Sequence, residues 1–261
     1  TMNSVVSTNT VSGNDNIGGL VGCYSAISGN SNIDNSFSSG EITVSGESGG
    51  GIIGFVDVQD SRSFIIDSNT SESSVSGNDA MGGLLGYVQA EDSDSSIIIS
   101  QNFTSGSVSG TYSVGGMIGY LQADNGADIA VSSNSIESGD IIGLGSVGGV
   151  SGRASVYDGS HFSISVTNNE SNVTGQYYYV GGLVGEAYAQ GCDSNTKFII
   201  ENGSTSGIIS GGYYVGGLAG YIGWDCGDED IQINNSHATG VIAGTDSYVG
   251  GLVGEANGLD I

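Results

Sequence analysis

The sequence predicts an all-β chain: a parallel β-helix (β-solenoid) of about eight coils of 32–35 residues, with three short strands per coil. Three observations predict it: a glycine-centred motif that recurs eight times, short β-branched bursts between polar turns, and a composition that excludes competing chain types. The motif (Val/Ile/Met)-Gly-Gly-Leu-Val-Gly, with substitutions, places its second glycine at Gly19, Gly51, Gly83, Gly116, Gly149, Gly182, Gly217 and Gly251. The intervals are 32, 32, 33, 33, 33, 35 and 34 residues. Self-similarity at that period is the mark of stacked repeats, each burying its apolar face against its neighbours. The reading is of one continuous solenoid over residues 1–261.

The elements follow in order within the unit at Gly83. The first segment runs from Met81 to Val88, and an acidic stretch, Glu91 to Asp94, follows it. The second segment is Ser96 to Ser100, then comes Asn102, and the third is Ser107 to Gly110. These segments are short, bounded by turn residues and rich in β-branched side chains, which is strand chemistry; none carries a helical period. In the third segment a β-branched residue two before a glycine recurs as Val11, Val44, Val75, Val108, Ile141, Val173, Ile209 and Ile242. The second segment offers Ile33, Ile65 or Ile66, Ile98, Val131, Ile164 or Val166, Ile199 and Ile233. Stacked at about 4.8 Å per coil, such positions form ladders along the axis. An asparagine ladder is expected after the second segment at Asn35, Asn69, Asn102, Asn134, Asn169 (or Asn168), Asn202 and Asn235, where amides satisfy turn backbone between coils. Glycine at the other corners is expected to supply positive φ.

Composition narrows the classes. Disorder is excluded because 37% of residues are hydrophobic and clustered periodically. Lys and Arg number 3 against 28 Asp and Glu, a formal net charge of −25, so the chain lacks the cations that nucleic acid demands and is not expected to bind it. Anionic membrane surfaces are disfavoured for the same reason, and no apolar run approaches the ~20 residues that span a bilayer, so no membrane insertion is expected in this segment. Thr1-Met2 opens without a signal-peptide pattern and both ends follow the internal repeat. A segment of a longer chain is therefore expected, its stack continued by its own repeats or by a neighbouring subunit.

The Gly-Leu-hydrophobic-Gly core resembles the GLUG motif of the amino-terminal regions of bacterial immunoglobulin A proteases and of many large secreted or surface proteins. It reads Gly19-Leu20-Val21-Gly22, Gly83-Leu84-Leu85-Gly86, Gly182-Leu183-Val184-Gly185, Gly217-Leu218-Ala219-Gly220 and Gly251-Leu252-Val253-Gly254. Gly51-Ile52-Ile53-Gly54, Gly116-Met117-Ile118-Gly119 and Gly149-Val150-Ser151-Gly152 deviate. The resemblance implies an extracellular or cell-surface scaffold, because these repeats carry diverse functions without themselves being catalytic. The zinc chemistry of the proteases lies in a separate domain with a His-Glu-x-x-His helix, and His161 and His237 have no such partners here.

No enzyme is expected. A polysaccharide-active β-helix is the distant alternative, set back by having only Arg62, Arg153 and Lys197 as basic residues. The reading is a surface stalk or adhesin, with an extracellular filament subunit as the alternative; partners are other protein chains, glycans or copies of itself. Cys192 lies ten residues after Gly182 and Cys226 nine after Gly217, one coil apart, so a disulfide is expected; half a zinc site is the lesser reading. Cys23 is read as a buried small residue or as bonded outside this segment. Glycosylation sequons stand at Asn69, Asn102, Asn169, Asn172, Asn202 and Asn234. No cofactor is expected; calcium is the lesser reading at the acidic loops, namely Asp57 and Asp60; Glu91, Asp92 and Asp94; Asp124 and Asp128; and Asp225, Asp228, Glu229 and Asp230. A solvated acidic edge is the favoured reading there. Tyr112, Tyr177, Tyr178, Tyr179, Tyr213, Tyr214 and Tyr248 thicken toward the carboxyl end, either as stabilising stacks or as a binding face for sugars or protein.

Overall fold

The computed structural model describes residues 1–26, 29–60, 62–137, 139–191, 195–225 and 230–257. Among these residues the chain is a parallel β-solenoid without helix: every strand pairs in parallel with its counterpart one repeat away, and five sheets of eight strands each result. Among the described residues no helix is long and apolar enough to cross a membrane. Each rung lays down five strands, not three. In the third rung they are Ser63–Asp67, Thr70–Ser71, Ser74–Ser76, Asp79–Gly82 and Leu85–Ala90, taken below as the first to fifth faces. Two causes explain the difference. The glycine motif turns the chain between Gly82 and Leu85, so one apolar run serves the fourth and fifth faces. The second face is two residues long with Ser71 pointing inward, and so carries no apolar signature.

Register fixes the core. On the first face the inward ladder is Met2, Ile33, Ile66, Ile99, Val131, Ile164, Ile200 and Ile233. Ile98 and Ile199, expected inside, pair with Ile65, Ala130, Ser163 and Gln232 on the outer side, because adjacent strand residues point to opposite faces. The third-face ladder is Val11, Ile42, Val75, Val108, Ile141, Val173, Ile209 and Ile242. Val44 is thus two residues out of place as an equivalent of Val75. It stands opposite Gly13, in the slot that other rungs give to glycine.

That exception is compensated within its own rung. A Cβ on Gly13, Gly77 or Gly143 would lie 2.5 or 2.6 Å from the side chain of Ile17, Met81 or Val147 on the fourth face. In the second rung the sizes are exchanged: Val44 fills the glycine slot, and Gly49 replaces the large residue in register with Ile17 and Met81. Volume is conserved, as close-packed interiors require.

The motif glycines answer to close approach, not to positive φ, which corrects the expectation for these corners: among the described residues the positive-φ glycines are Gly29, Gly40, Gly126, Gly159 and Gly191. A Cβ on Gly82 would sit 1.9 Å from the Leu85 carbonyl oxygen, one on Gly83 2.2 Å from the Gly116 carbonyl oxygen, and one on Gly86 2.4 Å from the Gly54 carbonyl oxygen. Backbone occupies the space a side chain would need. Leu84, between them, points into the core and is fully buried.

Left-handed backbone falls at the corner after the first face. Ser4, Asn35, Ser68, Gln101, Ser133, Val166, Asn202 and Asn235 all hold φ between 48 and 57°. The residue after each is the ladder position. Asn69, Asn102 and Asn134 are buried there and stack. The Asn102 amide donates to the Ile66 carbonyl (2.9 Å) and its Oδ1 accepts from the Asn69 backbone N–H (2.9 Å) and side-chain amide (3.1 Å). Asn134 repeats the pattern toward Ile99 and Asn102. The expected ladder therefore merges three positions. Asn35, Asn202 and Asn235 are exposed αL residues one step earlier, as asparagine tolerates that conformation. Asn169 is on the second face, donating to the Gly182 carbonyl at 2.8 Å.

Candidate binding face

The tyrosines gather where the corner before the fourth face changes size. Read along the stack, that position is Asn16, Ser48, Ala80, Ser113 and Ser146, and then Tyr179, Tyr214 and Tyr248. The valine N–H groups of the preceding rungs fix the carbonyls of Tyr179, Tyr214 and Tyr248 at 2.9, 3.0 and 3.0 Å. Tyr214 and Tyr248 hold φ of 53 and 63°, a region bulky residues avoid, and their rings stack at 4.9 Å and 10°. Tyr179 meets Tyr214 at 5.1 Å and Tyr221 at 4.9 Å. Tyr178 and Tyr213 flank them at 6.0 and 6.2 Å. Six of the seven tyrosines singled out in the sequence (Tyr177, Tyr178, Tyr179, Tyr213, Tyr214 and Tyr248), among them all five of the expected binding face, lie in one linked terrace, with Tyr178 and Tyr248 more than half exposed. Tyr112 is not among these ring contacts.

A second aromatic column escaped the sequence reading. On the outer side of the fifth face the register runs Cys23, Phe55, Tyr87, Tyr120, Arg153, Glu186, Tyr221 and Glu255. Each stands four residues after a second motif glycine, a constant offset that marks them in the sequence. Tyr87 and Tyr120 stack at 4.8 Å and 10°, and both hydroxyls donate to Gln122 Oε1, at 2.8 and 3.1 Å. The Arg153 guanidinium lies 5.4 Å from the Tyr120 ring centre. This column runs into the terrace at Tyr221.

Arg153 and Glu186 join the two systems. Arg153 Nε is 3.7 Å from Glu186 Oε2, which also accepts a 2.7 Å hydrogen bond from Ser146. Burial works against the Arg153 charge, but Glu186 and the nearby phenols and Asp79 outweigh it, so the guanidinium pKa is raised and the cation is held. Burial first, then Glu186 and the neighbouring tyrosines, pushes the Tyr179 phenol up to about 12, which keeps its hydroxyl a proton donor at neutral pH.

The other sequence candidates separate. Cys192 and Cys226, with their expected disulfide, lie outside the described residues, as do Asp228 and Glu229. Cys23 is a free, exposed thiol, which corrects its reading as buried; the alternating strand from Val21 to Ala26 points it outward. Among the sequons, Asn69, Asn102 and Asn169 are buried, which leaves no room for a glycan in the folded chain, whereas Asn172, Asn202 and Asn234 are exposed. Among the described residues no group of three or more His, Cys, Asp or Glu side chains is gathered to hold a metal. Glu91 and Asp124 have raised pKa values, each through burial first; the charges of Asp57 and Asp124 add to it at Glu91, and that of Asp158 at Asp124. His161 sits 3.1 Å from Asp128 on the outer side of the first face, and His237 is exposed. No family model, curated protein or solved structure matches the chain.

Proposed function

We propose that this chain is a non-catalytic extracellular scaffold, a cell-surface stalk of the GLUG-repeat kind that offers its tyrosine terrace to partners. The observation that carries the reading is the unbroken register of five sheets through eight rungs. In such a stack every rung is hydrogen-bonded to the next along all five faces, so load along the axis is spread over many parallel bonds and no rung folds by itself. An aromatic terrace on the side of a rod is suited to contact with protein or sugar at the surface, because tyrosine presents a flat apolar body and a polar tip.

Pulling single molecules from their ends tests this. A scaffold unravels in steps of one rung, each releasing about 110 Å of chain, as 32–35 residues do when extended. Collapse in a single step, or soft extension without steps, overturns the load-bearing role, and cleavage of a polysaccharide by the purified protein overturns the non-catalytic one.

A further inference from the structure

At the foot of the terrace, where the corner ladder steps from Ser146 to Tyr179, the surface opens into a cleft of about 300 Å³. Its lining combines exposed aromatic rings, Tyr112 and Tyr178, with charged groups, Asp79, Arg153 and Glu186. The cleft is built by size: Ser113 and Ser146 are small and buried where later rungs place tyrosines, so one ring's thickness is missing from the column. Gly145 contributes too, since a Cβ there would lie 2.5 Å from the Tyr112 ring.

We propose that this cleft is a binding subsite for a neutral saccharide, with a sugar face against Tyr178 and hydroxyls bridged by Arg153, Glu186 and Asp79. The inference rests on the adhesive scaffold reading and names its ligand class. Three ligand classes suit an aromatic-lined cleft, and charge decides among them. An anionic sugar meets two carboxylates against one guanidinium, inside the field of a chain of net charge −25. A quaternary ammonium group needs aromatic faces free of a competing cation, and the Arg153 guanidinium stands in the lining of this cleft beside its rings. A neutral sugar suffers neither cost. Its hydroxyls both donate and accept, matching a carboxylate and a guanidinium side by side, and its C–H face suits an exposed ring. The Arg153 side chain lines the cleft and is about one-third exposed, and its 3.7 Å contact to Glu186 is longer than a hydrogen bond.

Calorimetric titration of the whole chain with maltohexaose, cellohexaose, mannohexaose and hexa-N-acetylchitohexaose, beside hexagalacturonate, tests the subsite. At least one neutral hexasaccharide binds, hexagalacturonate does not, and Tyr178→Ala weakens the binding tenfold or more. Arg153→Gln weakens it similarly, and Ser146→Tyr, which extends the tyrosine column across the cleft, abolishes it. Ile142→Ser, on the outer side of the third face, leaves the affinity unchanged. Tyr178 is half exposed, so its truncation is read on a folded protein, checked by circular dichroism. No heat from any neutral sugar at millimolar concentration, tighter binding of hexagalacturonate, or an unchanged affinity in Tyr178→Ala overturns the proposal. None of these results alters the rung-by-rung unfolding on which the scaffold reading stands.

Discussion

In the third to fifth rungs the residue after the first corner is asparagine, and in the sixth to eighth it is Thr167, Gly203 or Ser236. Each asparagine amide reaches back to the preceding rung: Asn102 serves the Ile66 carbonyl and the Asn69 backbone. The hydroxyls of Thr167 and Ser236 instead donate two residues back in their own rung, to the Ser165 and Asn234 carbonyls at 3.0 and 2.8 Å, while Ser236 Oγ also accepts from the Gly203 N–H of the preceding rung at 3.0 Å. At Gly203 the space for a side chain is taken, since a Cβ would lie 2.7 Å from a Leu183 methyl. The side-chain donor at this corner thus serves a carbonyl of the preceding rung in one half and of its own rung in the other. A β-solenoid need not repeat a side chain to repeat a turn, but the choice decides how tightly neighbours are coupled.

The most damaging way to probe that difference is Asn102→Ala. It strands the Ile66 carbonyl and the Asn69 N–H in a buried corner, each worth about 1–3 kcal/mol, so denaturant melts should show a loss of about 3 kcal/mol or more. Thr167→Ala removes one local bond and costs about 1 kcal/mol. Equal losses would erase the distinction between the two halves.

Coupling within a rung is tested next by the exchange of sizes at Val44 and Gly49. Gly49→Ile alone forces a side chain against Val44 and Met81 and should cost about 1–3 kcal/mol. Val44→Gly alone leaves a void and costs a similar amount. The double variant restores the arrangement of Gly13 and Ile17 in the first rung, so its stability should return close to that of the natural chain. Additive losses in a double-mutant cycle would show the two sites to be independent.

Much of this architecture was legible in the sequence because the rung period is carried by backbone demands that few residues meet. The motif glycines recur wherever strands approach too closely for a Cβ, and they set the repeat, its direction and the number of rungs. Register within a strand was less legible. Ile98 and Ile99 are chemically alike, and only pairing decides which faces inward. Val44 mimicked the pattern of Val75 because the residue two before a glycine was tracked and not the volume it fills. The second face was nearly silent, since most of its buried inward residues are polar, Ser38, Ser71, Thr104, Asn169 and Thr205, with Ile136 the apolar exception. At the binding face the terrace tyrosines were visible as a cluster in sequence. Arg153 and Glu186 were not, because each is one member of a column spaced a whole rung apart.

Val166 offers a gain in stability at the corner where the two halves differ. It is the β-branched member of a column otherwise made of Ser, Asn and Gln, with φ of 48°, and its side chain is more than half exposed. Left-handed backbone costs a β-branched residue about 1–2 kcal/mol, and little packing offsets it. Val166→Asn should raise the unfolding free energy by about 1 kcal/mol. No change would mean that the exposed valine makes contacts worth as much as the backbone strain.

The smallest effect belongs to the acidic edge, where Glu91 and Asp124 stand on consecutive rungs. Both have folded pKa values above their ordinary ones, from burial and from neighbouring carboxylates. A raised carboxyl pKa means the folded state holds its proton more tightly than the unfolded state does. Stability therefore falls as pH rises through the interval from the ordinary carboxylate value to the raised one, and is regained on acidification through it. The repulsion also adds to that of a chain of net charge −25, so salt acts in the same direction. Tm should rise modestly as pH is lowered from neutrality toward the ordinary carboxylate range, and on adding about 0.3 M salt at neutral pH. Glu91→Gln should raise Tm at pH 7.5 and flatten its pH dependence, by less than about 1 kcal/mol because Glu91 is mostly solvated. A fall in Tm on mild acidification would mean that these carboxylates hold the rungs together as anions, which their upward shifts contradict.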